Sequence, residues 1–214
     1  MSNGTSVVHI VDDDASFLVA VARLLKAAGY NVQTFVSAAE FLANLGATAG
    51  CVVVDLRMPG MDGLELQQGL LRGSNELPVI FLTGEGDIAT TVQAMRQGAE
   101  DFLTKCAPKE DLFAAVDRAI ARDTRQRAER ARLRELRARI DTLTPRERGV
   151  LQHVIWGRQN KQIAADLGIN ERTVKLHRTA ITTKLQVRSV AELVHIAQDA
   201  GGFTAHPPPF PKGQ

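Results

Sequence analysis

Val7-Val8-His9-Ile10-Val11-Asp12-Asp13-Asp14 decides how this chain is read. Four of the first five residues are β-branched and the run ends abruptly on three carboxylates, the pattern of a buried strand that delivers acids at its carboxyl end. Three further stretches repeat the arrangement: residues 51–54 end on Asp55, residues 78–82 deliver the hydroxyl of Thr83, and the shorter run 101–103 leads to Lys105. In an open parallel α/β sheet the carboxyl ends of the strands converge on one crevice, so groups far apart in sequence meet there. Several carboxylates in one crevice repel each other unless a hard divalent cation sits among them, and a cation that takes few protein oxygens and keeps several waters is Mg²⁺. Lys105 adds fixed positive charge and Thr83 a hydrogen-bond donor, and that set matches what a transferred phosphoryl group needs.

From residue 7 to residue 121 short β-rich runs alternate with helical patterns, which predicts a doubly wound, five-stranded parallel sheet covered on both faces. A first helix over 16–28 carries Phe17, Val21, Leu24 and Leu25 at helical spacing and ends at Gly29; Asp14 is placed to cap it rather than to join the other acids. A strand follows at 31–35, then a helix opened by a capping box of Ser37 and Glu40. Helices at 63–71 and 88–97 continue the alternation, and the last begins near Pro108 with Leu112, Val116 and Ile120 on its apolar side.

Charge divides the 214 residues into two parts. Residues 1–117 hold 7 Lys and Arg against 15 Asp and Glu, a net of −8, whereas residues 118–214 hold 19 against 9, a net of +10. An acidic half joined to a basic half points to a nucleic-acid-binding domain coupled to a domain with another task. Two cysteines, Cys51 and Cys106, are too few and too far apart for a disulfide framework or a metal finger, which fits a reducing compartment. The N-terminus has no basic region followed by an apolar core and no run reaches about 18 apolar residues, so a cytoplasmic protein without membrane contact is expected.

Between Ala121 and Ile140 eight Arg stand against three acids among good helix formers, which predicts a continuous helix. Leu133, Leu136, Ile140 and Leu143 fall at the steps of a two-stranded seam, but Gln126 and Glu129 fill the preceding seam positions; a solvated connector and a short dimer coil both remain open. Beyond it Thr144-Pro145-Arg146-Glu147 is an N-cap, a first-turn proline and a capping-box acid, opening a helix closed by Gly157. A second helix spans 160–167 and stops at Gly168, Asn170 caps a third over 171–185, and Ser189 with Glu192 boxes a fourth. The domain boundaries expected are 1–121, an Arg-rich linker helix over 122–141, a helical domain over 142–203, and a disordered Pro-rich tail over 204–214.

Val11-Asp12-Asp13-Asp14, Asp55-Leu56-Arg57-Met58-Pro59-Gly60-Met61-Asp62-Gly63, Thr83-Gly84 and Phe102-Leu103-Thr104-Lys105 together resemble a response-regulator receiver domain. The resemblance implies that Asp55 accepts a phosphoryl group from the phosphohistidine of a sensor histidine kinase. It implies that Asp12 and Asp13 hold Mg²⁺ with Asp55 and the backbone carbonyl of Arg57, and that Thr83 and Phe102 form the switch pair. Arg57 and Glu85 occupy positions that tune the lifetime of the phosphoryl group in such domains. One departure stands out: receivers of this type usually carry a cis proline directly after the lysine, whereas here Cys106 follows Lys105 and proline appears only at Pro108. A cis bond before a non-proline costs about 3 kcal/mol, so the Lys105–Cys106 bond is either trans or held by packing.

Leu143-Thr144-Pro145-Arg146-Glu147-Arg148, Asn160-Lys161-Gln162-Ile163-Ala164 and Arg172-Thr173-Val174-Lys175-Leu176-His177-Arg178 resemble a LuxR-type helix-turn-helix domain. A short helix, a tight turn and a basic helix suit the major groove, with Lys175, His177 and Arg178 the candidates for the groove and Thr173, Lys161 and Lys184 nearer phosphates. The whole chain is similar to FixJ/NarL-type response regulators, FixJ-like with an extended linker helix. That similarity implies a regulator that dimerises on phosphorylation, binds double-stranded promoter DNA and works with RNA polymerase, with at most slow autodephosphorylation. Two other readings stay open: a constitutive DNA-binding factor with a degenerate receiver, and a Mg²⁺-dependent phosphoryl-transfer enzyme built on the same acids.

Overall fold

The computed structural model describes residues 6–46, 48–73, 77–84, 88–187, 189–200 and 203. They fall into two compact units, Met1–Arg127 and Ala128–Gln214. Within the first, β1 (Ser6–Val11), β2 (Asn31–Phe35), β3 (Ala49–Val54), β4 (Val79–Thr83) and β5 (Asp101–Thr104) alternate with α1 (Ala15–Ala27), α2 (Ala38–Asn44), α3 (Gly63–Arg72), α4 (Ile88–Arg96) and the start of α5 (Lys109–Asp141). Among the described residues the strands form one parallel sheet ordered β2-β1-β3-β4-β5.

Apart from His9 and the end residues Ser6 and Thr83, the three inner strands are built of apolar or small residues because both their faces are covered. Successive side chains point to opposite faces and so feed two cores. Val8, Ile10, Cys51, Val53, Ile80 and Leu82 pack against α1 and α5. Val11, Val52, Val54, Val79 and Phe81 pack against α2 and α3 with Phe41 and Leu66. His9 shares the second face, 2% exposed between the rings of Phe35 and Phe41, and neither ring nitrogen has a hydrogen-bond partner among the described residues. The single tyrosine, Tyr30, donates to Asp117 Oδ1 at 2.8 Å and lies beside Phe113.

Helix ends follow the caps with one exception. Asp14 accepts from the backbone N–H groups of Ser16 and Phe17, and Asp62 and Glu65 form a reciprocal capping box at α3. At α2, Ser37 accepts from Glu40 N–H, but the Glu40 carboxylate reaches past Ser37 to the N–H of Val36 at 2.9 Å, so the expected box is only half formed.

The root of α5 is not a solvated linker. Asp123 is 1% exposed and its Oδ2 accepts from Gly50 N–H at 2.8 Å, while Arg127 grips Asp123 and donates to the carbonyl of Thr48. On the other side Arg122 donates to Gly98 O and Glu100. Gly50 (φ +141°) is also pressed against β1, where an added Cβ would lie 1.8 Å from Val7 O.

In the second unit α6 (Pro145–Ile155), α7 (Asn160–Leu167), α8 (Glu171–Leu185) and α9 (Val190–Ala200) share one core. Leu136, Ile140 and Leu143 belong to that core, packed with Val150, Leu151 and Val154. Of the 3-4-3 spacing, Leu136, Ile140 and Leu143 are thus covered by the core of this unit, and Leu133 is half-buried. Thr144 and Glu147 make both arms of their capping box, and the buried Glu147 also binds Lys184 Nζ at 2.7 Å. The single tryptophan, Trp156, meets the ring of His153 edge-on at 5.0 Å.

Candidate functional site

β1 and β3 are neighbours from which the chain departs to opposite sides of the sheet, so their carboxyl ends open onto one crevice. Asp12 and Asp55, the first residues past those strands, are held there by backbone bonds, Asp12 N–H to Phe35 O at 3.2 Å and Asp55 N–H to Val11 O at 2.9 Å. Asp12, Asp13 and Asp55 each offer one carboxylate oxygen within 4.8 Å of the others, with Asp12 and Asp55 buried and Asp13 exposed. Asp14 takes no part in that group.

Lys105 completes the crevice from β5. Its N–H donates to Thr83 O at 2.8 Å, which carries the strand pairing one residue further. Its Nζ reaches Asp12 Oδ2 at 2.6 Å and Asp55 Oδ2 at 2.9 Å, and sits 4.3 Å from the centre of the Phe17 ring. No peptide among the described residues is cis, so the Lys105–Cys106 bond is trans and the lysine arrives without the proline. Burial pushes the Asp12 carboxyl above its usual range against the downward pull of Lys105. Burial alone would lower the Lys105 ammonium, but the two carboxylates outweigh it and hold it above its ordinary value. A site with three carboxylates and one ammonium keeps a negative excess, and its donors are all hard oxygens, which fits a small divalent cation.

Thr83 is buried at the end of β4. Phe102 is half-buried on β5 with its ring 5.7 Å from that of Phe81. Arg57 is exposed, and its N–H makes a long 3.4 Å bond to Asp55 Oδ1. Gly63 opens α3 against the Asp55 carbonyl, where an added Cβ would lie 2.5 Å from that oxygen. Glu85 lies outside the described residues. The pattern of acids hides two members of this neighbourhood: Phe17, whose spacing marks it only as a core position, and Gly63, whose role is to be small.

In the second unit α7 and α8 are joined through Gly168, at φ +64°, and Asn170, whose side chain caps α8 by accepting from Thr173. Lys161 and Lys175 are exposed, and Thr173 and His177 are half-buried. Two of the six predicted DNA contacts are engaged inside the protein. Lys184 is held by Glu147 because it lies on the last turn of α8 facing α6, and Arg178 donates to Asn160 Oδ1 on α7 at 2.8 Å. Arg172 and Leu176, which the pattern passes over, are exposed on α8.

A carboxylate crevice at the switch point of a five-stranded parallel sheet, joined to a four-helix unit with a helix-turn-helix, defines a receiver coupled to a DNA-binding domain. The response regulator receiver domain matches residues 8–117, and the bacterial regulatory protein domain of the luxR family matches residues 141–197. The chain belongs to the response regulators of the FixJ/NarL type, phosphorylation-dependent transcription regulators paired with sensor kinases. It is 41% identical over 199 residues to the response regulator protein TmoT of Ectopseudomonas mendocina, covering 92% of this chain and 90% of that protein. It is also 41% identical over 195 residues to the transcriptional regulatory protein FixJ of Azorhizobium caulinodans, covering 91% and 92%. Among solved structures, the response regulator StyR is similar at 43% identity and TM-score 0.80 over 90% of this chain and 98% of that one. Full-length FixJ from B. japonicum is similar at 37% identity and TM-score 0.55 over 93% and 98%. No described helix is long and apolar enough to cross a membrane.

Proposed function

We propose that Asp55 is the phosphoryl acceptor and that its modification governs binding of the second unit to promoter DNA. The observation that carries this is the grouping of Asp12, Asp13 and Asp55 within 4.8 Å with Lys105 on two of them. Lys105 holds Asp55 Oδ2, so Oδ1, which receives only the long bond from Arg57, is the oxygen that attacks phosphorus. The new O–P bond forms as the P–N bond to the kinase histidine breaks, and the nitrogen keeps the electron pair. Asp12, Asp13, Asp55 and the carbonyl of Arg57 would hold Mg²⁺, which supplies charge to offset that of the phosphoryl oxygens. Lys105 pairs with a phosphoryl oxygen once Asp55 carries the acyl phosphate.

Thr83 and Phe102 act as the switch: the hydroxyl turns to the phosphoryl group and the ring follows behind it. The affected face is α4 with β5, where Ile88, Val92 and Met95 are exposed at helical spacing, an apolar stripe suited to a second copy of the chain. The phosphorylated dimer, a cytoplasmic species, presents two α8 helices to paired half-sites, with Lys175 and His177 toward bases and Lys161 and Thr173 toward phosphates, and engages RNA polymerase. Loss of the phosphoryl group by autodephosphorylation is slow. The test treats the chain with acetyl phosphate or beryllofluoride plus Mg²⁺ and follows mass, dimerisation and DNA affinity. All three change together if the proposal holds, and an Asp55→Asn chain that activates transcription as well as the parent refutes it.

A further inference from the structure

Around α8 the residues do not face the surroundings equally. At 100° per residue, Arg172, Lys175, Leu176, Thr179 and Thr183 fall on one stripe and all are exposed. Val174, Ile181 and Leu185 fall opposite and are buried at 0% exposure. Arg178 lies one turn beyond Val174 and just before Ile181, at the edge of the buried stripe, where the pattern would place an apolar side chain. It is half-buried, and its Nη1 donates to Asn160 Oδ1 at 2.8 Å. Asn160 is the first residue of α7, so the bond ties the middle of α8 to the start of its scaffold helix. Nothing else polar among the described hydrogen bonds joins α7 to α8.

We propose that Arg178 and Asn160 form a positioning pair that fixes the angle between α7 and α8, and so sets which base edges the exposed stripe can reach, without Arg178 itself reading a base or neutralising a phosphate. The proposal rests on α8 being the helix that enters the major groove. A guanidinium N–H held on a planar group and bonded to an amide oxygen is more directional than an apolar contact, and base readout tolerates little angular error. On the exposed stripe Lys175 is then joined by Arg172 and Leu176 as candidates for direct readout.

The test uses the full chain treated with beryllofluoride and Mg²⁺, a duplex that this chain selects from a random-sequence pool, and a scrambled duplex of the same composition. Asn160→Ala leaves the Arg178 charge in place, and Arg178→Lys keeps the charge but not the fork. Both are expected to lose about tenfold in affinity for the selected duplex, the scale of one mismatched base pair, and to bind the scrambled duplex within about twofold of the parent. The dependence of log affinity on log salt stays that of the parent for both. The proposal is overturned if Arg178→Gln lowers the salt slope by about one and weakens both duplexes alike, the signature of a phosphate contact. It is also overturned if Asn160→Ala binds as the parent does, or if Arg178→Lys relaxes the preference at one base position only. Should Lys175→Ala and Arg172→Ala leave the selected duplex bound as before, the groove reading of α8 itself fails, a result distinct from failure of the pair. Unaltered helical signal and cooperative melting of each variant separate these outcomes from loss of the fold.

Discussion

Lys105 Nζ lies 2.6 Å from Asp12 Oδ2, so the crevice that is to receive an anion already contains an ion pair spanning two strands. The ammonium occupies part of the field a cation would use, so in its proposed role it serves the incoming phosphoryl group at the expense of cation binding. Lys105→Ala is expected to raise Mg²⁺ affinity about tenfold, within the range of one partly buried unit charge, and to slow modification by acetyl phosphate by at least that factor. Calorimetric titration with Mg²⁺ and intact mass with time check both signs.

Asp55→Asn removes the proposed nucleophile and one charge of three. The variant is expected to gain no phosphoryl mass, to keep its fold and to bind Mg²⁺ more weakly, whereas Asp13→Asn weakens Mg²⁺ binding but still gains mass at high Mg²⁺. Transfer to Asp13 in the Asp55→Asn chain, read by peptide mass, would contradict the assignment of Asp55.

His9 is held neutral by burial, its pKa pushed below the ordinary 6.5. The folded state therefore releases a proton that the unfolded chain binds, and the stability of the first unit falls as pH drops below about 6.5, by up to about 1.4 kcal/mol per pH unit until the folded group titrates. His9→Leu is expected to flatten that slope between neutral and mildly acidic pH. It also gains about 1–3 kcal/mol by removing two unpartnered nitrogens. Denaturant melts at several pH values decide it.

Glu147 caps α6 and neutralises Lys184, and the hydrogen bond from Lys184 holds its carboxyl below the usual range. A lowered acid contributes stability above its unfolded value that is lost as pH falls through the folded one. Glu147→Ala is expected to cost the second unit about 2 kcal/mol, since it removes half a capping box and leaves a half-buried ammonium unpaired. Thermal melting of that unit reads the loss.

Asp123→Ala leaves Arg127 and Gly50 N–H without their shared acceptor and is expected to destabilise the first unit by about 2–3 kcal/mol. Gly50→Ala, whose Cβ meets Val7 O, is expected to prevent folding of that unit altogether. Soluble yield and denaturant midpoints distinguish the graded effect from the complete one.

The sheet and its acids were legible because each central strand is apolar but for His9 and its end residues and leads into a functional group, a signal carried by neighbours in sequence. Asp123 was not, because its partner Gly50 is 73 residues away and nothing in an Arg-rich window marks one acid as buried. Leu136 and Ile140 show the limit of periodicity: spacing says that a stripe is covered, not by what, and here the cover is the core of the same unit. Arg178 is a groove candidate by charge, and its hydrogen bond to Asn160 on the preceding helix is nowhere marked in the sequence. The placement of Lys105 was likewise hidden, because the bond from its N–H to Thr83 O, which extends the pairing of β5 with β4, is made with a residue far away in sequence.

Tyr30 and Trp156 are the chain's only phenol and only indole, and they fall in different units. Burial and the Asp117 carboxylate push the Tyr30 hydroxyl up to about 12, so its ionisation is spectrally silent until strong alkali unless the first unit opens. Trp156 emission answers to the second unit, where the indole meets the His153 ring edge-on. Because an indole absorbs to the red of a neutral phenol, light taken up by Trp156 alone lets the melting of the second unit be watched in the intact polypeptide without a label and without the Tyr30 signal.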